Sequence, residues 1–292
     1  MDIVITFVDG NDPLWQQDYA QTVGPSALAK RYRDWGLLKY LFRGIEKHLP
    51  FIRQVHLVVS RESQVPAWID PQNVHIVLHR DIIPQQFLPV FNSNSIEMFL
   101  HRIPGLDEEF LYFNDDMFPV ADSKKEDFFE NGKISIGFAP HIFVGSSYKR
   151  FCKNSDRLVR KVLGKSGCLI FRRPQHICTP LLKSACEELY SAAEKKILSS
   201  VTALRQPNNY SQYIYSDYLF YTKRSTGKRI SKKHFSLAAY SAQKIAVWLE
   251  KPSAKFACIN DVTMSDEQFS SSRALLLAAF EKRYPEKSKF EK

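Results

Sequence analysis

No uninterrupted apolar run of about 18 residues occurs in this sequence, so no membrane-spanning helix is expected. The chain opens Met1-Asp2-Ile3-Val4-Ile5, an acidic residue followed at once by a strand-like run. It has neither a basic leader nor a long apolar segment there, so no secretory signal is visible. The cytosol is the expected compartment, with a peripheral contact at the cytoplasmic membrane left open. Cysteine is sparse: Cys152, Cys168, Cys178, Cys186 and Cys258 are odd in number and form no Cys-x-x-Cys pair. Neither a zinc site nor a disulfide framework is indicated. The 11 glycines nowhere build the spacing of a Walker loop or a dinucleotide fingerprint. Internal repeats, low-complexity linkers and nucleic-acid-binding motifs are missing too.

What is present belongs to a folded protein: 44% hydrophobic and 13% aromatic residues exclude a disordered chain. The 292 residues suffice for one large α/β domain, or for one domain with a sizeable elaboration. Charge is uneven. Residues 1–150 carry 15 Lys/Arg against 19 Asp/Glu, net −4, and residues 151–292 carry 26 against 12, net +14. The basic half is expected to face something anionic: a polyanionic glycan, a nucleotide sugar, nucleic acid or a lipid headgroup surface.

Ile3 to Val8 reads as a buried strand ended by the turn formers Asp9-Gly10-Asn11-Asp12-Pro13. Leu37, Leu38, Leu41, Phe42, Ile45 and Leu49 recur at helical spacing and predict an amphipathic helix over 34–48. Strands are expected at Gln54–Ser60 and Val74–Leu78, a short helix at 94–102, and a strand before Asn114. This alternation predicts a mostly parallel, Rossmann-like α/β sheet with helices on both faces. Residues 181–199 show a long helical pattern, and Tyr210 to Tyr221 is an aromatic-rich run. Ser265 and Gln268 resemble a capping box, opening a helix stopped by Pro285, after which the charged tail is expected to fray. The charge shift near residue 145 is the candidate boundary, dividing the chain, or lobes of one unit, into an α/β half, 1–145, and a basic, helix-rich half, 146–292.

The run Phe110-Leu111-Tyr112-Phe113 followed by Asn114-Asp115-Asp116 carries the strongest chemical signal. Four apolar residues suit a strand covered on both faces, and a polar triplet at its carboxyl end falls where open α/β sheets place ligands. Adjacent acids repel, so a fold that keeps them together usually supplies a cation; Mg2+ held by carboxylates and a substrate phosphate would satisfy them. A solvated acidic turn is the alternative. Asp9-Gly10-Asn11-Asp12 also follows a strand; Gly10 would let the backbone approach a ligand while the acids accept from ribose or base, or the segment is simply a turn. Asn92-Ser93-Asn94-Ser95-Ile96-Glu97 is polar enough to read sugar hydroxyls, beyond what helix capping requires. Arg31 and Arg33 precede the first long helix, where a planar guanidinium fork suits phosphate. His176, beside Arg172 and Arg173, is a candidate base whose neighbouring cations would keep it neutral, with His141 its competitor. Arg205 opens a Gln-Pro-Asn-Asn loop, and Asn260-Asp261 ends an apolar run much as Asn114-Asp115 does.

These segments together resemble the Stealth family of sugar-phosphate transferases, which includes bacterial capsular and exopolysaccharide phosphotransferases and the animal N-acetylglucosamine-1-phosphotransferase. The first conserved region is similar to Ile5-Thr6-Phe7-Val8-Asp9-Gly10-Asn11-Asp12-Pro13. The second runs from Arg31-Tyr32-Arg33-Asp34 through Leu88 to Glu97 and on to Phe113-Asn114-Asp115-Asp116-Met117-Phe118. The third is weaker, around His176, Pro180 and Arg205, and the fourth resembles Cys258-Ile259-Asn260-Asp261. Two departures fall on the third region. The family usually has more prolines around its histidine, and here Cys178 and Thr179 intervene before Pro180. Downstream of its arginine the family favours an acid, where this chain has Asn208-Asn209. The resemblance implies transfer of a hexose-1-phosphate from a nucleotide diphospho-sugar, a UDP-sugar first among the donors, to a glycan hydroxyl in surface polysaccharide synthesis. It further implies Asp115, Asp116 and Asp261 on Mg2+ or Mn2+, and Asp9, Gly10, Asn11, Asp12 and Asp34 around the nucleotide. Arg33 and Arg205 would neutralise pyrophosphate, Asn92, Asn94 and Glu97 would read the donor sugar, and His176, Asp116 and Arg205 would be catalytic. The rivals are a metal-dependent glycosyltransferase that releases a nucleoside diphosphate and a non-catalytic polyanion-binding protein.

Overall fold

A computed structural model of the protein describes residues 1–24 and 32–292. Arg31, expected beside a phosphate, lies outside the described residues. In chain order the elements are β1 (Asp2–Thr6), α1 (Pro13–Val23), α2 (Leu38–His48), β2 (Gln54–Val59), β3 (Val74–Leu78), α3 (His79–Ile82), α4 (Ser93–Glu97), β4 (Glu109–Asn114) and β5 (Met117–Pro119). There follow β6 (Phe129–Glu130), β7 (Lys133–Ile134), β8 (Phe138–His141), α5 (Ser147–Val162), β9 (Phe171–Pro174), β10 (Thr179–Leu182) and α6 (Lys183–Leu198). The last are α7 (Tyr213–Tyr221), β11 (Lys232–Ser236), α8 (Ala242–Glu250), β12 (Phe256–Asn260) and α9 (Asp266–Arg283). The fold is mixed α/β, as predicted. Among the described residues the largest sheet has strand order β10-β4-β1-β2-β3 and is mostly parallel. No helix among the described residues is long and apolar enough to cross a membrane.

Contacts divide the chain into two units that interleave in sequence. The first comprises Met1–Val4, Val77–Tyr112 and Lys125–Ile230, and the second Ile5–Ile76, Phe113–Lys124 and Ser231–Lys292. The boundary expected between 145 and 146 falls inside the Lys125–Ile230 segment of the first unit.

In the first unit, Phe110, Leu111 and Tyr112 of β4 are buried, as an unbroken apolar run requires of a strand covered on both faces. β10 runs antiparallel to it, Thr179 opposite Tyr112 and Leu182 opposite Glu109. Leu181 and Leu182 therefore pair in a strand, and the expected helix begins two residues later, at Lys183. The helical reading of 94–102 resolves into the short α4 and a 3-10 turn at Leu100–Arg102. Cys152 of α5, Phe171 of β9 and Tyr213 of α7 form one buried cluster, with Val144 and Tyr148 packed against it.

In the second unit, Phe280 of α9 sits against Phe118, with ring centroids 4.7 Å apart, and against Tyr40, 5.7 Å away. α2 comes close to β5 because residue 44 is glycine. A Cβ there would lie 2.8 Å from the Pro119 carbonyl oxygen. α2 starts at Leu38 and not at Asp34 because Asp34 Oδ1 accepts from Gly36 N at 2.8 Å, and Gly36 has φ +69°, which ends any helix there. The Ser265–Gln268 capping box forms as predicted, each side chain bonding the other residue's backbone N–H at 3.1 Å. The tail does not fray. Phe290 is buried, Asp70 N donates to Phe290 O at 2.8 Å, and Glu291 takes a bidentate pair of 2.8 Å bonds from Arg43. A charged heptapeptide reads as solvated, but its Phe290 and Glu291 find partners more than 200 residues earlier, which no local pattern announces.

Candidate active site

The second unit gathers an acidic cluster on the sheet β11-β12-β5. Asp116 immediately precedes β5, and its carbonyl accepts from Ile259 N at 2.9 Å. β12 is antiparallel to β5, with Cys258 opposite Met117. Side chains two apart on a strand share a face, so Cys258 and Asn260 point the same way. Asn260 Nδ2 donates to Asp116 Oδ2 at 2.7 Å, and Cys258 Sγ approaches the same oxygen at 3.8 Å. The other oxygen, Oδ1, is buried without a hydrogen-bond partner. Burial pushes Asp116 up to about 6, against the opposing pull of Cys258 and Lys232. Asp115 keeps accessible surface, yet the protein around it raises its carboxyl to about 7, and Asp116 and Asp34 push the same way. Two acids that resist ionisation, one with an orphaned oxygen, form the hard donor set that a divalent cation takes.

β11 lies parallel to β12, with His234 opposite Cys258 and Ser236 opposite Asn260. That register carries His234 Nε2 onto Asn260 Oδ1. Because the Asn260 amide nitrogen faces a carboxylate, its oxygen must accept, so Nε2 of His234 carries the proton and Nδ1 the lone pair of the neutral ring. Desolvation lowers the His234 pKa from its ordinary value; the bond to Asn260 opposes this and Lys232 reinforces it. The sequence reading missed His234. A histidine in Lys232-Lys233-His234-Phe235 has no ligand spacing, and only the β11–β12 register exposes it. Asp261, expected on the metal, accepts from Val262 N at 2.6 Å, and the contact to Asp116 is made by its neighbour Asn260.

The Asp9 loop is built largely for itself. Gly10 is required by the backbone of Tyr32: a Cβ there would lie 2.2 Å from the Tyr32 carbonyl oxygen. Asp12 caps α1 by accepting from Leu14 N at 2.9 Å, and it also takes bonds from Ser63 and Gln64. Burial raises the Asp12 pKa, but these bonds outweigh it and leave the carboxyl below its ordinary value. Asp9 Oδ1 accepts both the backbone and side-chain nitrogens of Asn11, at 2.8 and 3.0 Å. Arg33 pairs with the exposed Asp266 and lies over the Phe269 ring at 4.8 Å. Asp34 is raised by burial, with the Gly36 amide opposing and Asp9 adding to the rise.

The first unit gathers a second group around α4 and the start of α7. Asn92 caps α4 and ties it to the 200–209 loop through Asn209, whose side chain is wholly buried and bonds Ser200 O and Thr202 Oγ1. Asn209 is thus spent on hydrogen bonds that hold the loop. Arg205 Nη2 donates to Ser93 Oγ at 2.6 Å. Asn94 Nδ2 is buried without a partner. Burial raises Glu97 to about 7, although Gln212 N donates to it at 2.8 Å and Arg205 draws it down. One residue further, the Tyr213 hydroxyl meets His176 Nδ1 at 2.9 Å, and Tyr148 packs edge-on to the imidazole. Glu97, Arg205 and His176 are thereby linked through Gln212 and Tyr213, which the sequence presented only as part of an aromatic run. His141, at the end of β8, is held below its ordinary pKa by partial burial and by Arg173 and Lys149.

Residues 31–136 match the family description "Stealth protein CR2, conserved region 2". The chain is 32% identical to the capsular polysaccharide phosphotransferase WcwK of Streptococcus pneumoniae, over 100% of this chain and 99% of that protein. It is also 32% identical to the receptor polysaccharide phosphotransferase WefC of Streptococcus oralis, again over 100% and 99%. A crystal structure of the galactosyltransferase LgtC with donor and acceptor sugar analogues aligns with a TM-score of 0.39 at 10% identity, over 94% of this chain and 95% of that one. Full-length identity to two polysaccharide phosphotransferases, joined to the motif residues collected above, makes this chain a member of the Stealth family.

Proposed function

We propose that the protein transfers a sugar-1-phosphate from a nucleotide diphospho-sugar, a UDP-sugar first, to a hydroxyl of a growing surface polysaccharide. The acceptor oxygen attacks the phosphorus that bears the sugar, the bond to the neighbouring phosphate breaks, and a nucleoside monophosphate leaves. The observation that carries this reading is the Asp115–Asp116 pair, with Asp116 fixed by Asn260 on one oxygen and unpartnered on the other. Mg2+ or Mn2+ held by Asp115, Asp116 and Asp261 would supply charge neutralisation at the pyrophosphate. Asp9 and Asn11 would hold the nucleotide, with Gly10, Asp12 and Asp34 shaping its loop. Arg33 would exchange the solvent-facing Asp266 for a phosphate oxygen.

On the sugar side, Asn94 offers an amide with an unspent donor, and Glu97 near pH 7 can either give or accept a hydrogen bond to a hydroxyl. Arg205 brings charge to the phosphate, and His176, oriented by Tyr213, takes the acceptor proton. The enzyme would work in the cytoplasm with a peripheral contact at the cytoplasmic membrane. The test is a product assay with purified protein, Mg2+, a panel of nucleotide sugars and short glycan acceptors. Nucleoside monophosphate release with a new phosphodiester signal by phosphorus NMR is expected, and is lost in Asp116→Asn. Nucleoside diphosphate release would make the protein a glycosyltransferase and end this reading.

A further inference from the structure

β8 and β9 run antiparallel with His141 opposite Phe171. Just beyond this end of the pair the chain continues as Ile142 and Phe143 after β8 and arrives through Leu169 and Ile170 before β9. All four side chains are exposed, Phe143 and Leu169 each by 82%. Single exposed apolar residues are ordinary on a soluble protein, but four flanking the same end of one strand pair call for a covering surface. The segment joining the two strands is basic. Residues 141–173 hold nine Lys/Arg against one acid, Asp156. That acid is buried and bonded to Arg160 and the Tyr221 hydroxyl, so it offsets none of the exposed charge. On α5, Arg150, Arg157 and Lys161 are exposed and lie seven and four residues apart, which places them on one helix face. Lys165 follows in the exposed stretch 164–170.

We propose that this end of β8–β9, with the basic face of α5, docks on an anionic phospholipid bilayer. Phe143 and Leu169 would enter the acyl boundary while the Arg and Lys heads bind headgroup phosphates. A soluble polyanion would use the cations and leave Phe143 and Leu169 in water; a lipid interface takes both chemistries at once. The proposal deepens the peripheral contact included in the function proposed above by naming its surface and lipid class, and it is read without turnover.

The experiment is flotation of the full chain with vesicles of phosphatidylcholine alone and of phosphatidylcholine mixed with phosphatidylglycerol. Binding is expected to the mixed vesicles at low salt, with release at about 1 M salt, where the screening length falls to about 3 Å. The double variant Phe143→Ser/Leu169→Ser should lose binding about tenfold or more while keeping its thermal midpoint and its transfer to soluble acceptors. A Phe143→Trp variant should show a blue-shifted emission on the mixed vesicles. Absence of flotation, equal flotation of the double variant, or an unshifted Trp spectrum would overturn the proposal. So would an Arg150→Glu/Arg157→Glu variant that loses heparin retention but floats normally, since the surface would then belong to a soluble polymer. Lost transfer with intact flotation would count against the sugar-phosphate reading alone.

Discussion

Asp116 has one oxygen that takes an amide and approaches a thiol, and another that is buried with nothing to bond. With Asp115 it is costly to ionise: the pair sits at about 6 and about 7, above the ordinary carboxylate range near 4. A folded-state pKa raised in this way contributes stability below about pH 4 that is lost as pH rises through about 6 and then about 7. A cation binds the ionised pair, so the rise in thermal midpoint on adding Mg2+ should be larger at about pH 8 than at about pH 5.5. Asp116→Asn should flatten the metal-free pH dependence and remove the Mg2+ shift. A Mg2+ shift of equal size at both pH values would sink this account. At His176, replacement by Asn should lower kcat by about 10²–10⁴ with little change in KM, and Tyr213→Phe, which removes one hydrogen bond that orients the ring, by a much smaller factor. If His234→Asn, and not His176→Asn, removes the low-pH limb of the kcat profile, the base lies on β11. The sequence made Asp115–Asp116 legible because adjacent acids after an apolar strand are a local signal. It could not show that Asn260 contacts Asp116 across 144 positions, nor that Asp12 is spent on a helix cap.

At the scale of elements, Gly44 sets two effects against each other. Alanine in a helix interior is favoured over glycine by about 1 kcal/mol from backbone propensity. Here the added methyl would meet the Pro119 carbonyl oxygen at 2.8 Å, and overpacking costs about 1–3 kcal/mol. Because the obstacle is backbone of an adjoining strand and not a flexible side chain, the clash should win. Gly44→Ala is expected to lower the urea midpoint at unchanged m-value, and a raised midpoint would show that α2 shifts freely. Elements were readable where their determinants are local: the Ser265–Gln268 box, the Leu37–Leu49 stripe and the Phe110–Phe113 run all appear close to their expected places. Their ends were misread where a partner decides, as when β10 captures Leu181 and Leu182 from the helical pattern that follows.

For the molecule as a whole, sequence order and packing part company. The composition changes sign near the middle of the chain, yet each compact unit draws on segments from both sides of that point. In the first unit β4 needs β10, and in the second β5 needs β12; both partners lie beyond residue 145. A fragment of residues 1–145 would keep β4 and β5 but lose those partners, leaving Phe110, Leu111 and Phe118 beside unpaired edges. It would also lose Phe280, which packs on Phe118 and Tyr40, and Glu291, which pairs with the buried Arg43. Removing one member of a buried ion pair alone costs about 3–5 kcal/mol, a large share of the roughly 5–15 kcal/mol that holds a domain folded. Fragment 1–145 is therefore expected to bind a hydrophobic dye, to lack a cooperative thermal transition and to aggregate, and fragment 146–292 to do the same. Mixing the two should restore a transition only if they re-form β4–β10 and β5–β12. A sharp, reversible melt of the isolated 1–145 fragment would show that the chain's charge division, and not its interleaved packing, marks the folding unit.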